Sequence, residues 1–389
     1  MQCTGHIRMR ETAKGKSYQL IIEQPPDIKT GKRKRKYITL GNVTKKQAEK
    51  ALRKIIDDME NDEYIDRDGV TVIEWVNKWM ELFMKNISPT TRRGYENQIK
   101  IYIGTQPIAD MLLQSVKTED VQEWINTISA SSPVTGKPLS GKTVKNVFMN
   151  LSAAYNKAVE LDKVKRNPCK GVSIPKCKKY QGEVYDDKDI AKLLECANGT
   201  DMELPLKLLL TLGLRRGELL ALKWSRIDFE KHTVLIDENL VYVDKSISKD
   251  GYIIKSPKSL SGIRTLYITD RLLELLKKQR EVYLDMAEKS KDFQDNEFVI
   301  CQSDGKAFTP NAMTRKFNRF LEKNNLKKIR LHDLRHTNAT LMMKNGISAK
   351  EAQKRLGHAD VSVTLDTYSH VLDSMQQATA DKIESAILH

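Results

Sequence analysis

The chain opens on a period of two. Three runs, Gly5–Glu11, Lys16–Gln24 and Lys34–Gly41, are separated by Lys14-Gly15 and by Pro25-Pro26-Asp27 through Thr30-Gly31. That pattern predicts three short strands joined by turns. In the first run Ile7 and Met9 face one way, and His6, Arg8 and Arg10 the other. Then the period lengthens. Thr44 and Gln47 form a capping-box pair, and Ala48, Ala51, Leu52, Ile55, Ile56 and Met59 share one stripe of a helix. The prediction is a small sheet backed by one helix, with a basic outer face.

Residues 70–165 read as helical throughout. Val72, Ile73, Val76, Trp79, Met80 and Phe83 recur at helical spacing, and such a Trp, Phe and Met stripe is core. Ser88-Pro89 supplies an N-cap and a first-turn proline for a helix through Ile101, with further helices near Thr118–Ile128 and Gly141–Leu161. From Lys163 to Lys179 there are seven Lys/Arg and no Asp or Glu, with Pro168, Gly171 and Pro175 among them, which predicts an extended basic linker. Beyond Glu183 helices come first. Strand-like runs follow at Thr233–Val243, Gly251–Lys255 and Ile263–Thr269, and helices resume near Arg271, Pro310, His332, Ser348 and Asp360. The fold class is multidomain α+β: a small N-terminal three-stranded sheet plus helix, an all-helical segment, and a mixed, mainly helical part with a small antiparallel sheet. The predicted divisions are 1–64, 65–165, a linker at 166–182, and 183–389 with a C-terminal tail.

Composition narrows the partner. Lys+Arg exceed Asp+Glu by 66 to 51, a formal charge of +15, and residues 1–60 carry 15 basic against 7 acidic residues. A polyanion, with nucleic acid the first candidate, fits this balance. The basic run Lys32-Arg33-Lys34-Arg35-Lys36, read as a hairpin loop, suits phosphate contact. The longest mid-chain apolar stretch, Leu208 to Leu214, is only seven residues and includes Thr211 and Gly213, too short for a membrane span. The start lacks the apolar core of a signal peptide, which predicts a cytosolic protein. Five cysteines without a C-x-x-C pair fit reduced thiols rather than a zinc finger or disulfide framework.

One motif misleads. Gly136 through Gly141-Lys142-Thr143 matches the Walker A pattern, and Thr233–Asp237 could pose as its partner strand. A phosphate-binding loop needs a buried strand leading into it. Here the lead-in, Ser129–Thr135, is polar, broken by Pro133 and preceded by a helix. The prediction is a turn between two helices, with Lys142 and Thr143 near a helix start.

The chemistry gathers elsewhere. His332, Arg335 and His336 share one helix face at i, i+3 and i+4 spacing. Two histidines so spaced could hold zinc, but Asp333 stands where the zincin glutamate would, and Arg335 sets a cation against the metal. A phosphate site suits the set better, with Arg335 as a bidentate clamp and His332 as donor or proton carrier. Gly213-Leu-Arg215-Arg216-Gly-Glu218 places Arg215 at the start of an apolar helix, where Glu218 can orient it. Leu356-Gly357-His358 ends a helix begun by the capping box Ser348-x-x-Glu351, and Tyr368 follows ten residues after His358.

These boxes, Gly-Leu-Arg215-x-x-Glu218-Leu, His332-x-x-Arg335-His336, Leu-Gly-His358 and Tyr368-Ser-His370, occur in an order and at spacings that resemble the tyrosine recombinases. Closest in pattern are the integrases of phages and of integrative and conjugative elements (conjugative transposons). The resemblance covers nearly the whole chain. It implies an arm-type DNA-binding domain over 1–64, a core-binding domain over 65–165 and a catalytic domain from 183. It also implies Tyr368 as nucleophile, leaving a 3′-phosphotyrosine and a free 5′-hydroxyl, with Arg215, Arg335, His332 and His358 on the phosphate. Glu218 and His336 would be supporting residues. The family uses a further lysine between its second and third strands, for which Lys258 is chosen over Lys255. A diester exchanged for a phosphotyrosine ester loses no bond energy, so no ATP is needed, and no metal or other cofactor is expected.

Positions expected to meet DNA are Arg8, Arg10, Lys32, Arg33, Lys34, Arg35, Lys36, Arg92, Arg93, Lys142, Thr143 and Lys145. The implied partners are double-stranded DNA at core and arm sites, copies of the same chain in a synaptic homotetramer that forms from free monomers, and accessory DNA-bending or excision factors. The implied place is the bacterial cytosol and nucleoid, with no membrane. The predicted function is site-specific strand exchange, the integration and excision of a mobile element. A type IB topoisomerase, a non-catalytic DNA-binding regulator and a metal hydrolase built on His332 and His336 are the alternatives.

Overall fold

The computed structural model describes residues 3–12, 15–26, 33–41, 43–61, 64, 69–177, 183–257, 259–357, 384, 385 and 387. The chain forms two compact units, 1–178 and 179–389.

The first unit begins with an antiparallel sheet of β1 (Thr4–Thr12), β2 (Gly15–Pro26) and β3 (Arg33–Leu40), with β2 central. Its register sets Ile7 opposite Leu20 and Leu20 opposite Ile38. Helix α1 (Lys45–Glu60) covers that face, burying Leu20, Ile22, Ala48 and Leu52. Thr44 and Gln47 close the expected capping box at its start. Met9, expected on the covered face, is 51% exposed. A second correction concerns the basic run. Arg33–Lys36 belongs to β3 and not to a loop, and alternation then splits it. Arg35 lies on the open face with Arg8 and Arg10, whereas Lys36 shares the face of Ile38 and sits over the Tyr64 ring at 4.4 Å.

The rest of this unit is helical: α2 (Val72–Phe83), α3 (Pro89–Gln98) running into a π-helical turn at Ile99–Ile103, α4 (Thr118–Ala130) and α5 (Gly141–Glu160). Its core sets large aromatic residues among aliphatic ones, and the polar tips of Trp75, Trp124 and Tyr155 find carbonyls. The Trp75 indole donates to the Ala154 carbonyl at 2.8 Å, and Trp124 to that of Tyr102 at 2.7 Å. The Walker-like segment is the predicted inter-helix turn. Gly136 takes φ +64°, and Ser140 caps α5 by accepting the Thr143 amide.

The basic linker is shorter than expected. Val164 and Cys169 are buried in the helical core, and Val172 and Ile174 pack on it. The Gln122 side chain both accepts from and donates to the Ser173 backbone, at 2.8 and 3.0 Å. Apolar residues between the lysines anchor this stretch, and that outweighs its charge and its prolines.

The second unit opens with α6 (Asp187–Ala197), α7 (Glu203–Leu212) and α8 (Arg216–Ala221). Five strands follow: β4 (Ile227–Asp228), β5 (Thr233–Ile236), β6 (Asn239–Tyr242), β7 (Tyr252–Lys255) and β8 (Arg264–Tyr267). Helices α9 (Asp270–Lys289), α10 (Pro310–Lys323), α11 (Asp333–Lys344) and α12 (Ala349–Leu356) complete the described part. The single expected sheet is two, β4-β5-β8 and β6-β7. The run read as Thr233–Val243 breaks at Asp237-Glu238. There Arg226 holds Asp237 at 3.0 Å and Lys223 holds Glu238 at 3.0 Å. In consequence β7 and β8, consecutive in the chain, belong to different sheets. The helix expected near Asp360 lies outside the described residues. Among those described, no helix is long and apolar enough to cross a membrane.

Candidate active site

Four helix ends and one strand converge in the second unit. Helix α7 stops at Gly213, whose φ of +62° sets up the left-handed turn that ends it. Two residues on, Arg215 is the N-cap of α8. Glu218, one turn into α8, is 2% exposed and accepts the Arg215 backbone amide at 2.9 Å and its Nη1 at 2.6 Å. The same carboxylate accepts from Arg264 on β8, at 2.9 Å from Nη2 and 3.3 Å from Nη1. Arg335, in the first turn of α11, places Nη1 at 3.9 Å from it.

The last carbonyls of α12 face these cations. A helix C-terminus leaves its final carbonyls without amide partners and carries partial negative charge. Arg264 Nε donates to the Arg355 carbonyl at 2.7 Å, Arg335 Nη2 to that of Leu356 at 2.6 Å, and Arg215 Nη2 to that of Gly357 at 2.8 Å. Three consecutive carbonyls are thus each held by a different guanidinium. Arg335 Nη1 also donates to the Gly213 carbonyl at 2.7 Å, which ties the end of α7 to the same cluster. Burial alone would raise the Glu218 carboxyl. The hydrogen bond and charge of Arg264, with Arg215 adding to them, instead hold it at about 2. Glu218 is therefore an anion at any ordinary pH.

His332 is the N-cap of α11 and not a residue of its interior, and its side chain makes no capping bond. Its ring meets that of His336 edge to face, with centroids 5.2 Å apart. Although His332 stays accessible, the protein around it, then His336 and Arg335, push its imidazole down to about 4. Burial lowers His336 as well. Asp333 is spent elsewhere, since Arg330 donates to its carboxylate from the backbone at 2.9 Å and from Nη2 at 2.7 Å. Among the described residues, no group of three His, Cys, Asp or Glu could hold a metal ion.

Of the residues singled out from the sequence, Arg215, Glu218, His332, Arg335 and His336 lie in this one unit. Lys258, His358 and Tyr368 lie outside the described residues, as do Lys32 and the side chains of Arg33 and Lys34. Arg35 is paired with Glu23 at 2.9 Å and Arg92 with Glu96 at 2.8 Å, while Lys142 and Lys145 are exposed. Arg264 escaped the sequence reading. The available signal was its place two residues before the inward Leu266, since an arginine on the buried face of a strand needs a buried anion.

Residues 183–375 match the phage integrase family, and residues 71–129 match the SAM-like N-terminal domain of phage integrases. The chain belongs to the phage integrase family of tyrosine recombinases. It is 27% identical to a XerC-like tyrosine recombinase of Caldanaerobacter subterraneus, over 89% of this chain and 90% of that one. It is 27% identical to the ICEBs1 integrase of Bacillus subtilis, over 75% and 78%. The transposase from transposon Tn916 of Enterococcus faecalis is 26% identical over 82% of this chain and 80% of its own. Among solved structures, the Tn1549 transposon integrase in complex with a circular intermediate DNA superposes with a TM-score of 0.68 at 21% identity, covering 80% of this chain and 99% of that one. A lambda integrase tetramer bound to a Holliday junction gives 0.56 at 19%, over 88% and 92%. This integrase is a tyrosine-type site-specific recombinase of mobile elements and acts on DNA.

Proposed function

We propose that Tyr368 cuts and rejoins the DNA of a mobile element, integrating and excising it through a 3′-phosphotyrosine. The Tyr368 oxygen attacks phosphorus, the bond to the 5′-oxygen breaks, and a phosphotyrosine diester replaces the phosphodiester. Arg215 and Arg335 neutralise the non-bridging oxygens as charge builds on them. His332 takes the tyrosine proton or bonds the phosphate, a role that suits an imidazole neutral at pH 7. His358 adds a phosphate contact, and Lys258 protonates the leaving 5′-oxygen. The observation that carries this reading is the Glu218 cluster. One buried carboxylate stands against three guanidiniums and leaves two positive charges in excess, an arrangement suited to a phosphate diester.

The arm-type, core-binding and catalytic divisions at 1–64, 65–165 and 183–389 belong to the same proposal. So do the basic residues Arg8, Arg10 and Arg35 on one open sheet face as DNA contacts, and assembly as a tetramer on paired sites within the bacterial cytosol. The similarity to a lambda integrase crystallised as a tetramer on a Holliday junction supports the last of these.

Tyr368→Phe tests the chemistry. It keeps the ring and removes the hydroxyl, so DNA binding in a gel shift should persist. Incubation with nicked target duplex should give no covalent adduct, with or without EDTA, while the wild type forms one in both. An adduct from the variant would show that another nucleophile is in use.

A further inference from the structure

We infer that Arg264 is a positioning residue for strand cleavage, fixing Glu218 and the end of α12 so that Arg215 is held ready for the phosphate. The inference rests on the phosphotyrosine reading and deepens it.

The Arg264 side chain is 6% exposed. A guanidinium carries five N–H donors in a rigid fork and cannot be neutralised in a protein. Four acceptors receive them: the two Glu218 oxygens, the Arg355 carbonyl at 2.7 Å and the Gly262 carbonyl at 3.1 Å. These acceptors come from three different parts of the site. Glu218 orients Arg215, and Gly262 ends the segment that carries Lys258. Arg355 lies in the last turn of the helix that leads toward His358 and Tyr368. The space is closed around this fork. A Cβ on Gly357 would stand 3.0 Å from Arg264 Nη1 and 2.9 Å from the Ser261 carbonyl.

The consequence of losing Arg264 follows from charge and reach. Glu218 would stay buried with Arg215 as its one close charged partner. Its other near cation is Arg335, whose Nη1 is 3.9 Å away. A carboxylate freed on one side turns toward that charge, drawing Arg335 off the Gly213 and Leu356 carbonyls and slackening its hold on Arg215. Misplacing such a donor by about 1 Å costs on the order of 100-fold in rate without weakening the bulk of DNA binding, which is spread over many phosphates.

The experiment uses the full-length integrase and a nicked duplex carrying the element's junction sequence. Two quantities are read: the single-turnover rate of covalent adduct formation and the Kd by gel shift. Arg264→Gln should slow adduct formation about 100-fold with Kd changed less than about threefold. Arg264→Lys, which keeps the charge but not the fork, should fall between that and wild type. In a Glu218→Gln background, Arg264→Gln should slow the reaction less than about fivefold further, because both act on one element. If Arg264→Gln fails to melt cooperatively, Arg264→Lys decides in its place, with a drop of about tenfold expected at unchanged Kd. Rates within about threefold of wild type for both variants overturn the inference, as do effects of Arg264→Gln and Glu218→Gln that multiply in full. A wild type that forms no adduct at all would instead sink the phosphotyrosine reading.

Discussion

Three acid-sensitive groups lie in this site, the imidazoles of His332 and His336 and the carboxylate of Glu218, and they respond at different points on the pH scale. The imidazoles of His332 and His336 are held below the usual 6.5, His332 at about 4. Below about pH 6.5 the unfolded chain therefore binds protons that the folded one refuses, so stability falls as pH drops from about 6.5 toward 4. Glu218, held at about 2 against an ordinary 4.5, contributes stability above 4.5 that is lost as pH falls toward 2. The melting temperature should accordingly decline between pH 6.5 and 4.5 through the histidines, before Glu218 is protonated. His332→Gln should flatten that upper part of the profile and leave the decline below 4.5 in place. Scanning calorimetry would read this, and an unchanged upper slope in the variant would refute the assignment. At this scale much was legible. Arg215, Glu218, His332 and Arg335 stand in short local patterns whose spacing already implies shared faces. Arg264 did not show, because its partner is 46 residues away in sequence and only folding brings them together.

At the scale of elements, two helix ends do the positioning, and both depend on a glycine in the left-handed region. Gly213 and Gly357 take φ of +62° and +69°, and the carbonyl of each accepts from an arginine of the cluster. Gly213 is the more tightly enclosed, since a Cβ there would meet Leu356 Cδ2 at 2.5 Å and Asn338 Oδ1 at 2.6 Å. Gly213→Ala combines backbone strain with overpacking and should cost roughly 2–4 kcal/mol of stability. Gly136 offers the comparison, with φ of +64° and nothing within 4 Å of an added Cβ. Gly136→Ala should cost only the left-handed penalty, roughly 1–2 kcal/mol. Urea titrations of the two variants separate the contributions, and equal losses would show that the packing around Gly213 yields. Helix starts were legible here because capping pairs are local, as at Thr44–Gln47 and Ser348–Glu351. The strands of the second unit were less so. Thr233–Val243 reads as one strand-like run, and the ion pairs at its break come from Lys223 and Arg226, outside the run.

At the scale of the whole molecule, charge and modularity set what can be removed. The excess of positive charge is heaviest over residues 1–60, and Arg8, Arg10 and Arg35 stand on the sheet face that α1 leaves open. The alternation around Arg8 and Arg10 already implied a basic outer face, whereas the place of Arg35 on it follows from β3 beginning at Arg33. The linker was misjudged for a related reason, since composition counts lysines and does not weigh the few apolar residues between them that choose where the chain lies. The apolar residues of the N-terminal module close on themselves: Leu20, Ile22, Ala48 and Leu52 form one cluster, separate from that of Val72, Trp75 and Trp124. The ion pair from Lys165 to Asp58 crosses between them at 3.1 Å, with the lysine 48% exposed, and pairs so placed add little. Deleting residues 1–64 should therefore leave the helical core folded, with a cooperative melt. The truncated protein should still bind and cleave the core site, because Arg215, Arg335 and Tyr368 are untouched. Binding to separate accessory sites should disappear, since the basic sheet face is gone, and the salt dependence of what binding remains should be shallower. Gel shifts with each DNA across a salt series give the answer. Equal loss at core and accessory sites would mean that the N-terminal module closes on the same DNA as the rest of the chain.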